Sequence, residues 1–174
     1  TIDEIYSFFK LPSLKKQKIV TKEFKNIKFL EWKKQNTKLH KIDGYYIVFV
    51  SLKSKKKPPG DASSRQMIEL AEISDQFSFG ELRVSHEQNL ILPHVSNSDL
   101  FKVWERLEKV NLATPNIGLI TDTICCPGMD YCALATARSI PISQKISNHF
   151  GSFVKQKEIG NIRIKISGCI NACG

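Results

Sequence analysis

The chain of 174 residues has no cysteine before position 125 and only five in all. It has no apolar run near the roughly 18 residues that a membrane-spanning helix needs. The longest, Tyr45 to Val50, is strand-sized. The N-terminus lacks the charged-then-apolar layout of a secretion signal, so a cytoplasmic, reducing location is expected and no membrane partner is called for. No stretch repeats. Acidic residues are scarce in one place: between Lys10 and Lys41, eleven lysines stand against Glu23 and Glu31, an excess of nine that equals the formal net charge of the whole chain. The remainder is close to neutral. Such a block suits an acidic partner, whether nucleic acid, anionic membrane or acidic protein, and equally a solvated lysine-rich surface.

What is present reads as a globular α+β protein. Residues 1–42 form a basic lead-in. In it Ile2, Ile5, Phe8 and Phe9 can share a short helix face, and Phe24, Phe29 and Trp32 are anchors for packing on something larger. Residues 43–112 are more regular. Tyr45 to Leu52 is β-rich and predicts a buried strand. Lys53 to Gly60 is a loop by composition. Ser63 and Gln66 fit a capping box, followed by Met67, Leu70, Ala71, Ser74 and Phe77 at helical spacing, with Gly80 as the stop. Leu82 and Val84 alternate with polar residues, and Leu90 to Leu92 is a second apolar run. Ser96 and Asp99 suggest another capping box, ahead of Leu100, Val103, Trp104 and Leu107. Strand, helix, strand, strand, helix is the order of a split βαβ unit.

From residue 113 the texture changes. Ile117 to Ile120 predicts a strand, Ala133 to Arg138 a helix, Pro141 to Phe150 a second helix, and Ile162 to Ile166 a strand. Between and after them lie all five cysteines. Cys126 and Cys132 are separated by five residues; Cys169 and Cys173 by three. Pro127, Gly128, Gly168 and Gly174 bend the backbone beside these thiols. Glycine lets main-chain N–H groups approach sulfur, and such bonds tune a cluster's potential. A helix after Cys132 would aim its N-terminus at the thiolates. An iron–sulfur cluster fits four soft thiolates. Four-cysteine zinc is a competing reading, although its ligand pairs are usually two to four residues apart. Four unrelated buried cysteines is the third. Cys125 is a spare thiol that by spacing alone can exchange roles with Cys126.

Two segments carry a resemblance. Thr123 to Ser139, reading TICCPGMDYCALATARS, and Ile166 to Gly174, reading ISGCINACG, resemble the sirohaem-containing sulfite and nitrite reductases. Leu82 to Pro93, with its Gln88-Asn89 turn, is similar to the ferredoxin-like subdomain of that family. The likeness is nearest the assimilatory sulfite reductase haemoprotein (beta component), and the turn is shared with ferredoxin-dependent nitrite reductases. The implied fold is a ferredoxin-like (split βαβ) half-domain at 43–112, followed by a truncated α/β sirohaem and 4Fe–4S-binding domain at 113–174. The resemblance implies a 4Fe–4S cluster on Cys126, Cys132, Cys169 and Cys173, with Cys173 also bridging to sirohaem. It implies six-electron reduction of sulfite to sulfide, or alternatively of nitrite to ammonia. It implies a flavoprotein reductase or ferredoxin as electron donor, and a separate N-terminal half that bears most of the basic substrate-binding residues. The chain alone is therefore expected to be an inactive fragment.

Other residues carry weaker expectations. Arg83, Gln88, Asn89, Arg138 and Asn171 are candidates for contact with the cofactor. Arg83 otherwise faces solvent, and Gln88 and Asn89 otherwise serve the turn. Asn171 otherwise organises its loop. His86 and His94 are lone histidines, better read as ordinary strand neighbours than as ligands. A zinc-stapled basic RNA-binding module is the competing function. It lacks the aromatic-rich strand that stacks bases, so nucleic acid is not the expected partner.

Overall fold

The computed structural model describes residue 2 and residues 13–17, 25–54 and 57–174. Ile5, Phe8, Phe9 and Phe24, named above as a helix face and an anchor, lie outside the described residues.

The lead-in is less irregular than its composition suggested. Asn26 caps α1 (Ile27–Asn36) by accepting the Phe29 N–H at 3.2 Å. Phe29 and Trp32 are fully buried, so these two anchors do pack on the larger body. Weak amphipathicity hid the helix, since its buried face amounts to Phe29, Trp32 and Asn36. Asn36 uses its amide to bond Phe49 O (3.2 Å) and Thr114 O (2.9 Å), tying the sheet to the loop that leads to the cysteines.

The sheet contains β1 (Thr37–Leu39), β2 (Tyr45–Val50), β3 (Arg83–Val84) and β4 (Leu90–Ser96), in the order β1-β2-β4-β3. All neighbours are antiparallel. β2 passes through α2 (Ser64–Phe77) to β3, and β4 inserts between them, which is the split βαβ arrangement. The free edge of β2 is taken by β1 from upstream in the chain.

α2 begins with the expected capping box: Ser63 Oγ accepts the Gln66 N–H, and Gln66 Oε1 accepts the Ser63 N–H. Its buried seam is Leu70, Ile73 and Ser74. Met67 and Ala71 stand exposed, so the seam is rotated from the expected one. Gly80, at φ +73°, donates to Ser74 O and closes the helix end. In α3 (Leu100–Lys109) the four expected residues Leu100, Val103, Trp104 and Leu107 are all buried. The second capping box does not form. Ser96 is the last residue of β4 and donates to Gln17 Oε1, while Asp99 precedes α3 without a side-chain cap.

Beyond Leu112 the chain is mostly turns. Residues 117–120 form turns where a strand was expected, because Asp122 Oδ2 accepts the Gly118 N–H and curls the segment. The expected helix at Ala133 to Arg138 is also absent. There Thr136 and Ala137 give their N–H groups to Gly168 O (2.8 and 3.0 Å) instead of to carbonyls four residues back. Helix α4 (Ser139–His149) starts after them. Pro141 falls in its first turn, where a missing N–H costs nothing. α5 (Phe153–Ile159) follows, then β6 (Lys165–Ile166), which pairs in parallel with β5 (Ile124–Cys125). The long strand expected over residues 162–166 is thus two residues.

Candidate metal centre

β5 and β6 each run straight into a cysteine turn, so their pairing decides whether the two turns meet. Ile124 N donates to Ile164 O (2.9 Å) and Cys126 N to Ile166 O (3.0 Å). Past the strands, Gly168 N–H donates to Cys126 Sγ at 3.0 Å, the approach that glycine beside the ligands was expected to allow. Gly168 O accepts from Thr136 and Ala137, and Ala137 O in turn accepts Met129 N–H (3.1 Å). Three segments are thus laced around one glycine. A Cβ at Gly168 would lie 2.7 Å from Ala137 O and 3.0 Å from Gly128 Cα. A Cβ at Gly128, which has φ +58°, would lie equally close to Ser139 N. Only residues without side chains fit where the turns touch.

The thiols differ. Cys126 is buried, and the Ser139 hydroxyl 3.3 Å away holds its pKa below the ordinary thiol value. The N–H groups of Gly168 and Gly128 add to this, against the opposing effect of burial. Ser139 is the first residue of α4, so a helix N-terminus also favours the thiolate. Cys125 is pushed up to about 11, first by burial and then by Cys126 and Asp130. Its thiol donates to Cys126 O at 3.2 Å. Adjacent in sequence, the pair is split into one thiolate-prone and one thiol-like sulfur. Cys132 and Cys169 are half-buried and Cys173 is exposed. Among the described residues no three His, Cys, Asp or Glu side chains are gathered closely enough to hold a metal ion. The two turns therefore touch while their four sulfurs do not converge. The soft donor set and the glycine contact suit a thiolate-bound cluster.

The other candidates occupy varied settings. Arg83 is exposed on β3 and ion-pairs with Glu81. Arg138 bonds Asp130 through Nε at 3.0 Å and through a terminal nitrogen, bridging the 3₁₀ turn Gly128–Asp130 to the start of α4. Asn171 is exposed, and the Cys173 thiol lies 4.0 Å from its carbonyl oxygen. Gln88 bonds both main-chain groups of Cys125. Asn89 is 2% exposed, and its amide serves Leu52 N, Lys53 Nζ and Asp122 Oδ1. Though buried, it also contributes to the lining of the two clefts described below. His86 is exposed beside Glu87. His94 is buried between His40 and Glu81.

Lys53 and Asp122 escaped the sequence reading. Lys53 looked like the first residue of a lysine-rich loop, and nothing local distinguishes it from Lys55 to Lys57. It is 6% exposed, with Nζ on Glu87 O, Gln88 O and Asn89 Oδ1 and 3.5 Å from Asp122. Burial lowers its pKa against the raising effect of Asp122. Two clefts flank this knot. One, of about 380 Å³, is lined by Val84, Gln88, Cys125, Pro127, Tyr131 and Ile140 among others. Another, of about 610 Å³, includes Lys34, Lys38, Glu87, Asp122, Ile124 and Arg163.

Comparison with known proteins bears on this arrangement. Residues 40–110 match the nitrite/sulfite reductase ferredoxin-like half domain. That segment carries a domain of the nitrite and sulfite reductase family. Ferredoxin–nitrite reductase of Spinacia oleracea is 30% identical over 118 residues, covering 67% of this chain and 20% of the relative. The Zea mays enzyme is 29% identical over 123 residues, covering 67% and 21%. The sulfite reductase [NADPH] hemoprotein beta-component of Bacillus licheniformis is 28% identical over 98 residues, covering 54% and 17%. The structure of the Mycobacterium tuberculosis NirA protein superposes with a TM-score of 0.57 at 18% identity, covering 75% of this chain and 23% of that one. That likeness is one of fold. The chain spans about a fifth of the length of the curated relatives it matches. Its mixed α/β architecture with a ferredoxin-like half domain is the family's. None of the described helices is long and apolar enough to cross a membrane.

Proposed function

We propose that this chain is the cluster-binding portion of a cytoplasmic nitrite or sulfite reductase, and that Cys126, Cys132, Cys169 and Cys173 ligate a 4Fe–4S cluster. The observation that carries the reading is the Gly168 N–H bond to Cys126 Sγ, which joins the two cysteine turns where they leave paired strands. A 4Fe–4S cluster and a sirohaem, when bound, supply electron transfer and an iron that binds the oxyanion.

The chain's own residues do the rest. Ser139 and the Gly168 N–H stabilise the Cys126 thiolate. The β5–β6 pair and the Gly168 carbonyl keep the turns together. Arg83 and Arg138 are the cations we assign to sirohaem carboxylates, each already held by one carboxylate partner of its own. The cysteine segments resemble a sulfite reductase haemoprotein, and the relatives named nitrite reductases support nitrite as strongly. The electron donor is a ferredoxin or a flavoprotein reductase, and the lysine-rich segment from Lys10 to Lys41 suits an acidic one.

Anaerobic reconstitution with ferrous iron and sulfide tests the reading. The expected product is brown and carries about four iron atoms per chain. The visible absorbance disappears in Cys169→Ser. Tightly bound zinc with no iron uptake would overturn the assignment. Joined to the rest of its polypeptide, the protein's relative turnover of nitrite and sulfite distinguishes the two substrates.

A further inference from the structure

β5 is two residues long and, among the described residues, has a strand on one edge only. Ile124 and Cys126 turn their N–H groups towards β6. By the alternation of a strand, the main-chain N–H and C=O of Cys125 point the other way. Cys125 is 4% exposed, so water does not serve them. The side chain of Gln88 serves both. Its Oε1 accepts the Cys125 N–H at 3.0 Å, and its Nε2 donates to Cys125 O at 2.8 Å. One amide stands where a third strand would pair.

The turn that presents this amide is held in an unusual conformation. Gln88 has φ +57°, the left-handed region that a residue with a side chain seldom occupies. Its N–H donates to Ser85 O (3.2 Å), and its carbonyl accepts Lys53 Nζ (3.0 Å). Gly60 lies against it; a Cβ there would come 3.2 Å from Gln88 Cβ. A strained residue fixed from several sides points to a use for its placement.

We infer that Gln88 is a positioning residue for the iron–sulfur site: its amide pins the main chain of Cys125 and so sets where the Cys126 sulfur and the turn to Cys132 stand. The inference rests on the cluster reading above. Gln88 acts through Cys125 and ligates nothing.

The test compares the reconstituted full chain with Gln88→Met, which keeps the side chain's length and loses both hydrogen bonds. Arg106→Ala is the control. Arg106 joins α2 to α3 through Glu69, Glu72 and Gln76, far along the chain from the cysteines. In Gln88→Met, iron release to a chelator is expected to be about tenfold faster, the loss of two ordinary hydrogen bonds. The electron paramagnetic resonance of the reduced cluster should change as well. Arg106→Ala should lower thermal stability and leave both readouts alone. In the metal-free chain, Cys126 of Gln88→Met should alkylate faster than in the parent. Parent-like release, spectrum and alkylation in Gln88→Met would overturn the positioning role. A parent chain that takes up no iron would instead overturn the cluster reading beneath it.

Discussion

Lys53 and Asp122 meet inside the protein, Nζ to Oδ1 at 3.5 Å, with both side chains almost wholly removed from solvent. The lysine lies three residues after β2, and the aspartate lies two residues before β5. Asn89 bonds both partners, at 3.1 and 2.9 Å. The knot therefore joins the sheet to the strand that carries the first cysteines.

Removing one member should leave a charge buried. Lys53→Met is expected to cost about 3 kcal/mol, because truncating one side of a buried pair strands the other. Asp122 keeps the Asn89 and Gly118 bonds, which limits the loss. Adding Asp122→Asn to Lys53→Met should recover part of it. Urea denaturation of the two variants measures both steps. A parent-like midpoint for Lys53→Met would refute the knot.

Thiol accessibility should follow the cysteines' environments. In the metal-free protein Cys173 is expected to alkylate first and Cys132 and Cys169 next, with the buried Cys125 and Cys126 last. Of those two, Cys125 should be slower, since its thiol is held protonated to about 11. Ser139→Ala should slow Cys126 by withdrawing the hydroxyl at 3.3 Å. Peptide mapping by mass spectrometry after timed alkylation reads the order.

The same cysteine predicts an alkaline limb. The folded state raises the Cys125 pKa from 9.0 to about 11, so it holds the proton more tightly than the unfolded chain does. The stabilisation is complete below 9.0 and is lost as pH rises through about 11. Cys125→Ala should flatten the fall in melting temperature over that interval.

Acid acts through His40. Its Nδ1 accepts the Ile42 N–H at 2.9 Å, leaving Nε2–H for His94 Nδ1 at 3.2 Å; His94 Nε2 then meets Glu81 at 3.0 Å. Burial, and after it His94, lowers the His40 pKa from 6.5. The folded state thus favours the neutral ring. Its contribution is intact above 6.5 and fades as pH falls from there through the lowered value. The stability gap between the parent and His40→Gln should narrow from about pH 7.5 to about pH 5.5.

Gly168→Ala tests the contact between the turns. A methyl 2.7 Å from Ala137 O and 2.9 Å from Ser139 Oγ has no room. The expected cost is about 2 kcal/mol, the order of an overpacked interior site. Cys126 should become open to alkylation at the same time, because the added methyl pushes away the turn that covers its sulfur. Unchanged stability and unchanged Cys126 protection would contradict this.

Features that depend on short-range chemistry were legible from the residues. The Ser63–Gln66 capping box, the α3 stripe ending at Leu107, the β2 strand and the Gly80 stop each need only neighbours within a turn or a strand. Features that depend on distant partners were not. Ala133 to Arg138 has helix-forming residues, but Gly168, some thirty positions away, claims its N–H groups. Ser96 looks like a cap until Gln17 takes its hydroxyl. Among the site candidates, Arg83 and Arg138 were visible as cations, whereas the carboxylates that hold them were not.

By itself the sequence determined the chemistry available: four thiols in two glycine-bracketed turns, beside a split βαβ unit. Donor type and local spacing are written in neighbouring residues. Which sulfur is buried and thiolate-prone, and which lysine is a structural post rather than a surface charge, was decided only in three dimensions. Desolvation and hydrogen bonding act on atoms brought together across dozens of residues. Lys53 and Lys57 look alike in the chain, and only one of them meets Asp122.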